Sequence, residues 1–296
     1  EKFHPNTVST FAGAIGGEPV DAAIREIMEQ LPSLEIHSYT SAVGDYETRK
    51  AIADDLNARY DAGIAPENLF IGCGAAPELV SVIRALAVEN AEFVAIAPFF
   101  PEYRPFAEAN GAKLVVVPAD TEAFQINMEA LEQCITPCTQ GIIINSPNNP
   151  SGVVYTKETL TALAELLTKK GEEYGHPIYI IADEPYRELV YDGATVPWMP
   201  DFYKNTIVAY SFSKSLSLPG DRIGYLALGS DVEDFQNIVA AVAVATRIMG
   251  FINAPGLQQL VCAELCEELV DVSFYDRNRE RLDTSLIEYG YEWVKP

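Results

Sequence analysis

Basic residues are scarce. Lysine and arginine together number 20 against 43 aspartates and glutamates, a formal net charge of −23. Such a surface repels phosphate backbones and anionic lipid, so a nucleic-acid or membrane-surface role is disfavoured unless a segment outside these residues supplies it. Cysteines are few and odd in number: Cys73, Cys134, Cys138, Cys262 and Cys266. A sparse, odd set in a large chain is no disulfide framework and suits a reducing cytoplasm. Two pairs are spaced four apart, Cys134/Cys138 and Cys262/Cys266, which would set two thiols on one helix face. With only His4, His37 and His176 elsewhere, the ligand count argues against a metal site, and buried apolar cysteines are the plainer reading. The apolar run at 238–245 is too short to span a bilayer. No signal-peptide pattern, internal repeat, low-complexity tract or Ser/Gly linker is visible.

What is present is an ordinary globular composition. Of 296 residues, 48% are hydrophobic and 21% charged. A chain of this size buries roughly 75% of its unfolded surface, so a sizeable core is available. Short β-rich segments at 68–72, 93–97, 113–117, 141–145, 178–182, 207–211 and 223–228 alternate with helical patterns such as 77–89, 101–110 and 157–174. Several strand segments, among them Ile142-Ile143-Ile144, are continuously apolar, which predicts a sheet covered on both faces. The pattern predicts an α/β domain whose seven-stranded, mainly parallel sheet carries helices on both faces. Only about a dozen residues without a convincing helix join the last two strands, which leaves room for the final one to run antiparallel. Upstream, 21–30 and 46–60 read as helical. After Gly229 the pattern is almost wholly helical, over 232–249, 255–270 and 273–289. Asp276-Arg277-Asn278-Arg279-Glu280-Arg281 reads as a solvated charged face.

The informative residues fall at the C-terminal ends of strands, where ligands bind in open α/β sheets. In Gly72-Cys73-Gly74-Ala75-Ala76-Pro77 a strand ends in small residues and a helix begins, an arrangement suited to an anion or simply a strand-to-helix turn. Asn145-Ser146-Pro147-Asn148-Asn149-Pro150-Ser151-Gly152 is a stiff loop presenting Asn149, although turns use the same residues. Asp183, in Ala182-Asp183-Glu184-Pro185-Tyr186, ends an apolar strand. A buried carboxylate there needs a positive partner, unless it merely caps a helix. In Ser211-Phe212-Ser213-Lys214-Ser215, with Arg222 eight residues on, an amine nucleophile stands among groups suited to a phosphate. A polar surface loop is the alternative.

Taken together and in this order, these segments resemble fold-type I pyridoxal-phosphate enzymes of the class I/II aminotransferase family, related to aspartate aminotransferase. The resemblance runs from Gly16-Gly17-Glu18-Pro19 to Lys295-Pro296. It implies that Lys214 forms the internal aldimine with the cofactor aldehyde and later serves as general base for a 1,3-proton shift. Asp183 would pair with the pyridine nitrogen, and Asn149 and Tyr186 would hold the ring hydroxyl oxygen. Ser211, Ser213, Arg222 and the backbone of Ala75 and Ala76 would hold the phosphate, and Phe100 would stack on the ring. Tyr39 would reach the partner subunit's phosphate, so a homodimer with shared sites is implied. Gly16, Gly17 and Asn149 would line the substrate pocket.

The implied activity is transfer of an amino group between an amino acid and a 2-oxo acid. A β-lyase-type reaction with the same cofactor and a non-catalytic effector domain are the alternatives. The resemblance further implies a large domain at 31–270 and parts of a smaller α+β domain at 1–30 and 271–296. Both ends read as cut, with roughly a hundred residues, including the arginine for the substrate carboxylate, expected beyond Pro296. The second arginine of dicarboxylate-preferring members would fall near Ile248, with Arg247 adjacent, so that preference is unsupported.

Overall fold

The continuously apolar segments become the strands of one sheet. A computed structural model describes residues 18–30, 37–120, 122–268 and 271–295. Among the described residues the strands are β1 (Leu69–Gly72), β2 (Glu92–Ile96), β3 (Lys113–Val117), β4 (Thr139–Asn145), β5 (Tyr179–Asp183), β6 (Thr206–Ser211) and β7 (Gly224–Leu228). Their order across the sheet is β1-β7-β6-β5-β4-β2-β3. The five strands β3, β2, β4, β5 and β6 are mutually parallel, and β7 runs antiparallel to both β6 and β1. The predicted mainly parallel sheet is therefore present, and its boundaries shift by one or two residues.

Helices α1 (Glu18–Gln30), α2 (Tyr46–Tyr60), α3 (Ala75–Leu86), α4 (Tyr103–Glu108), α5 (Met128–Cys134), α6 (Lys157–Tyr174), α7 (Phe212–Ser215), α8 (Phe235–Met249), α9 (Gly256–Leu265) and α10 (Ser273–Glu288) complete the order. On one face of the sheet Ile142, Ile144, Ile180 and Val208 share a core with Ile52 and Leu56 of α2, Leu163 and Leu167 of α6 and Val20 and Ile27 of α1. On the other face Ile143, Ile181 and Ile207 share a core with Leu79, Val82 and Ile83 of α3 and Val242 of α8. Neighbouring isoleucines thus serve opposite layers, which is why the strands show no polar alternation. Each such side chain contributes roughly 1.5–3 kcal/mol by leaving water.

Four readings need correction. The first helix after β1 begins at Ala75 rather than at Pro77; proline fits the first turn because its missing N–H would have no partner there. Helix α5 was not expected. Its seven residues are too few to show an apolar stripe, yet Asn127 caps it by accepting from the Ala130 N–H at 3.0 Å. The charged stretch on α10 is not wholly solvated. Arg279 is buried, 2.9 Å from the Asp192 carboxylate and 4.5 Å over the Tyr191 ring, so it ties α10 to that loop. Cys134 ends α5 and Cys138 lies in the following turn, so these thiols share no helix face. All five cysteines are free; Cys262 and Cys266 are buried, and burial pushes the Cys266 thiol up to about 11. Among the described residues no helix is long and apolar enough to cross a membrane.

Strand register then places the candidate residues in one row. Asn145 lies opposite Asp183, Asp183 opposite Ala209, and Gly224 opposite both Ser211 and Gly72. This row is the C-terminal edge of the parallel strands.

Candidate active site

Along that edge lies a cleft of about 240 Å³. It is lined by Ala75, Ala76, Phe100, Asn149, Asp183, Tyr186, Ser211, Ser213, Lys214 and Arg222, and also by Asn145. Residues from five separate segments therefore converge as expected. Tyr39 does not join them; it is 95% exposed on the loop before α2. Ile248 is also exposed, near the end of α8, and does not line the cleft. Gly16 and Gly17 lie outside the described residues.

The anion-suited end is built from β1, α3 and the segment after β6. Gly74 precedes α3 with φ of +97°, a conformation that side chains disfavour. A Cβ there would stand 3.1 Å from Nη2 of Arg222 and 3.8 Å from Oγ of Ser211, so this glycine keeps the cup open. Gly224 allows the matching approach from below, since a Cβ on it would collide with the Tyr210 carbonyl and crowd Gly74. Ser211 caps α7: its Oγ accepts from the Ser213 N–H at 3.2 Å and lies 2.7 Å from Oγ of Ser213. Arg222 is anchored by donating from Nη1 to the Pro219 carbonyl at 2.8 Å, which leaves Nη2 toward Gly74. Two hydroxyls, a guanidinium and the free N–H groups of the α3 N-terminus thus face one volume.

Asp183 forms the opposite end. Residues 185–188 form a turn, so Asp183 caps no helix. Its Oδ2 accepts from the Tyr103 hydroxyl at 2.6 Å, whereas Oδ1 is buried and has no partner in the chain. Burial pushes this carboxyl up to about 7; the Tyr103 hydrogen bond opposes the rise and neighbouring Glu184 adds to it. Glu184 itself turns away, forming a buried ion pair with Arg187, whose guanidinium lies 5.0 Å from the Tyr60 ring and 5.1 Å from the Trp198 ring. Of the two adjacent acids, only Asp183 is available to the cleft.

Lys214 lines the same cleft. Its Nζ is 5.9 Å from the Tyr186 ring centroid. The Tyr186 hydroxyl accepts from Nδ2 of Asn149 at 3.4 Å. Burial raises the Tyr186 phenol, with Asp183 adding and Asn149 opposing. The half-buried Phe100 ring meets Tyr103 edge-on at 5.7 Å.

Two residues, one lining the cleft and one buried against Asp183, have roles that the sequence alone does not announce. Tyr103 lies 80 positions from Asp183, and its only local signal is an aromatic residue in the first turn after the segment carrying Phe100. Asn145, the last residue of β4, stands in the Asn-Pro segment, where the residue pattern singles out Asn149 instead.

Comparison with known proteins fits this geometry. Residues 7–288 match the family model described as aminotransferase class I and II. The aromatic-amino-acid aminotransferase 2 of Thermococcus litoralis is 28% identical over 92% of this chain and 70% of its own length. The aspartate aminotransferase of Thermotoga maritima is 34% identical over 71% of this chain and 54% of its own length. A solved amino transferase from Eubacterium rectale superposes with a TM-score of 0.93 at 48% identity, over 96% of this chain and 72% of that one. Several curated relatives are matched over only about half their length, for example 48% of a probable aspartate/prephenate aminotransferase of Thermus aquaticus. With the family model covering nearly the whole sequence and the cleft built from the expected segments, the chain belongs to the aminotransferase class I and II family.

Proposed function

We propose that this protein transfers amino groups between an amino acid and a 2-oxo acid, using pyridoxal phosphate held in the cleft. The observation that carries the reading is the partnerless Oδ1 of Asp183. A buried carboxylate is costly without a cation, and a protonated pyridine nitrogen supplies both the charge and the N–H that this oxygen lacks. The opposite end, with Ser211, Ser213, Arg222 and the α3 N-terminus, has the donor chemistry for a phosphate monoester. Names of relatives from three organisms, all aminotransferases, support the same reaction class.

The bound cofactor supplies the electron sink that makes an amino-acid α-proton removable. Asp183 would keep the ring nitrogen protonated, and the Tyr103 hydroxyl holds Asp183. Asn149 and Tyr186 would hold the ring oxygen, and Phe100 would pack against the ring. Lys214 Nζ would hold the cofactor aldehyde and, when free, would serve as the base that takes up the substrate α-proton and the acid that gives it back. One amine can serve both transfers because it can take up a proton and release it again.

The same reading includes a homodimer in which Tyr39 serves the partner's phosphate. The exposure of Tyr39 supports this, as does that of Phe251 and Ile252, which precede Asn253, whose Nδ2 donates to the Thr40 carbonyl at 2.7 Å. It also takes 31–270 as the cofactor-binding domain and a cytoplasmic location, which the free cysteines favour. The test is a half-reaction: full-length protein loaded with pyridoxal phosphate is mixed with a panel of amino donors. Conversion of the bound cofactor to pyridoxamine phosphate, with release of the matching 2-oxo acid, is expected. Ammonia release without an acceptor, or no conversion with any donor, would overturn the reading.

A further inference from the structure

Asn145 is 3% exposed and uses both ends of its amide. Nδ2 donates to the main-chain carbonyl of Asp183 at 2.7 Å, and Oδ1 accepts from the main-chain N–H of Asn149 at 2.6 Å. The opposite orientation of the amide would set donor against donor and acceptor against acceptor, so the network fixes it. Asn145 and Asp183 are register partners at the ends of adjacent parallel strands. Asn149 returns to this spot after a loop that is closed on itself: the Asn148 N–H donates to the Val153 carbonyl at 3.0 Å, and the Gly152 N–H donates to the Asn148 carbonyl at 2.7 Å. A rigid loop is therefore pinned to the sheet beside Asp183 by one side chain.

We infer that Asn145 is a positioning residue that fixes the separation between Asn149 and Asp183, so that contact with the cofactor's ring oxygen and contact with its ring nitrogen are set by one amide. This rests on the cofactor reading above. Both groups must meet a flat, rigid heterocycle at once, and an error in either position weakens both contacts. A buried side chain that satisfies two main-chain groups also leaves two unpaired when removed.

The test uses full-length protein freed of cofactor and reconstituted with pyridoxal phosphate. Two readouts are followed, the dissociation constant and the pH midpoint at which the absorbance of the Lys214-bound cofactor changes. Asn145→Asp preserves volume and the acceptor for Asn149 but sets an oxygen against the Asp183 carbonyl. It is expected to weaken binding at least about tenfold, as for one lost buried hydrogen bond, and to raise the absorbance midpoint. Asn145→Ala is expected to do the same, with a smaller effect when Asn149 is already alanine, because coupled residues are non-additive. If Asn145→Ala does not fold, the Asp variant decides alone. Wild-type affinity and midpoint in a folded variant, or additive effects in the double variant, would overturn the inference. Failure of wild-type protein to bind the cofactor through Lys214 would instead overturn the functional reading.

Discussion

Tyr103 and Asp183 divide the labour of one carboxylate: the tyrosine hydroxyl satisfies Oδ2 at 2.6 Å and leaves Oδ1 to the cleft. Tyr103→Phe keeps the ring that packs against Phe100 and removes only this donor. A hydrogen bond to a charged group is worth about 1.5–3 kcal/mol, so cofactor affinity should fall by roughly 10- to 100-fold. Titration of cofactor-free protein with pyridoxal phosphate measures it. Affinity within about twofold of wild type, well under the worth of such a bond, would show that the tyrosine does not support Asp183.

Lys214 provides the second test. Borohydride treatment of the loaded protein should leave the cofactor covalently attached, and peptide mapping should place it on Lys214. Lys214→Ala should lose the absorbance band of the lysine-bound cofactor and yield no fixed cofactor. It should still bind the cofactor non-covalently, since Asp183, Ser211 and Arg222 remain. Fixation on another lysine would move the assignment.

Most of this arrangement was legible in the sequence because the chemistry sits where strands stop. Lys214, Asp183, Asn149 and the Ser211/Arg222 set each follow a short apolar run, and a parallel sheet brings such ends together. What was hidden depends on contacts between distant segments. The role of Tyr103, at the start of α4, exists only through a partner at the end of β5. In the sequence Arg279 is one charge among many; only its burial against Tyr191 and Asp192 sets it apart. Helix α5 was too short to announce itself by periodicity.

Gly74 makes the phosphate end testable by itself. Alanine at φ +97° is strained by about 1 kcal/mol or more, and its methyl would press on Arg222 at 3.1 Å. Gly74→Ala should therefore weaken pyridoxal phosphate much more than unphosphorylated pyridoxal, which places nothing in the cup. Competition by inorganic phosphate should weaken in parallel. An equal loss for both ligands would mean that the glycine serves the fold and not the anion.

Glu78 gives the cofactor-free protein a pH-dependent stability. It is 2% exposed in the first turn of α3, and its Oε2 has no partner. Burial lifts its carboxyl from the ordinary 4.5 to about 8. The folded protein then binds this proton more tightly than the unfolded chain does. The resulting stability is fully present below about 4.5 and is lost as pH rises through about 8, a change on the order of 4 kcal/mol. Asp183 acts in the same direction up to about 7, until a cation occupies the cleft. Glu78→Gln cannot ionise, so in urea unfolding of cofactor-free protein it should lose less stability than wild type between about pH 5 and pH 9. It should be the more stable of the two at the alkaline end. Parallel pH curves for variant and wild type would show that the Glu78 carboxyl finds a stabilising partner when it ionises.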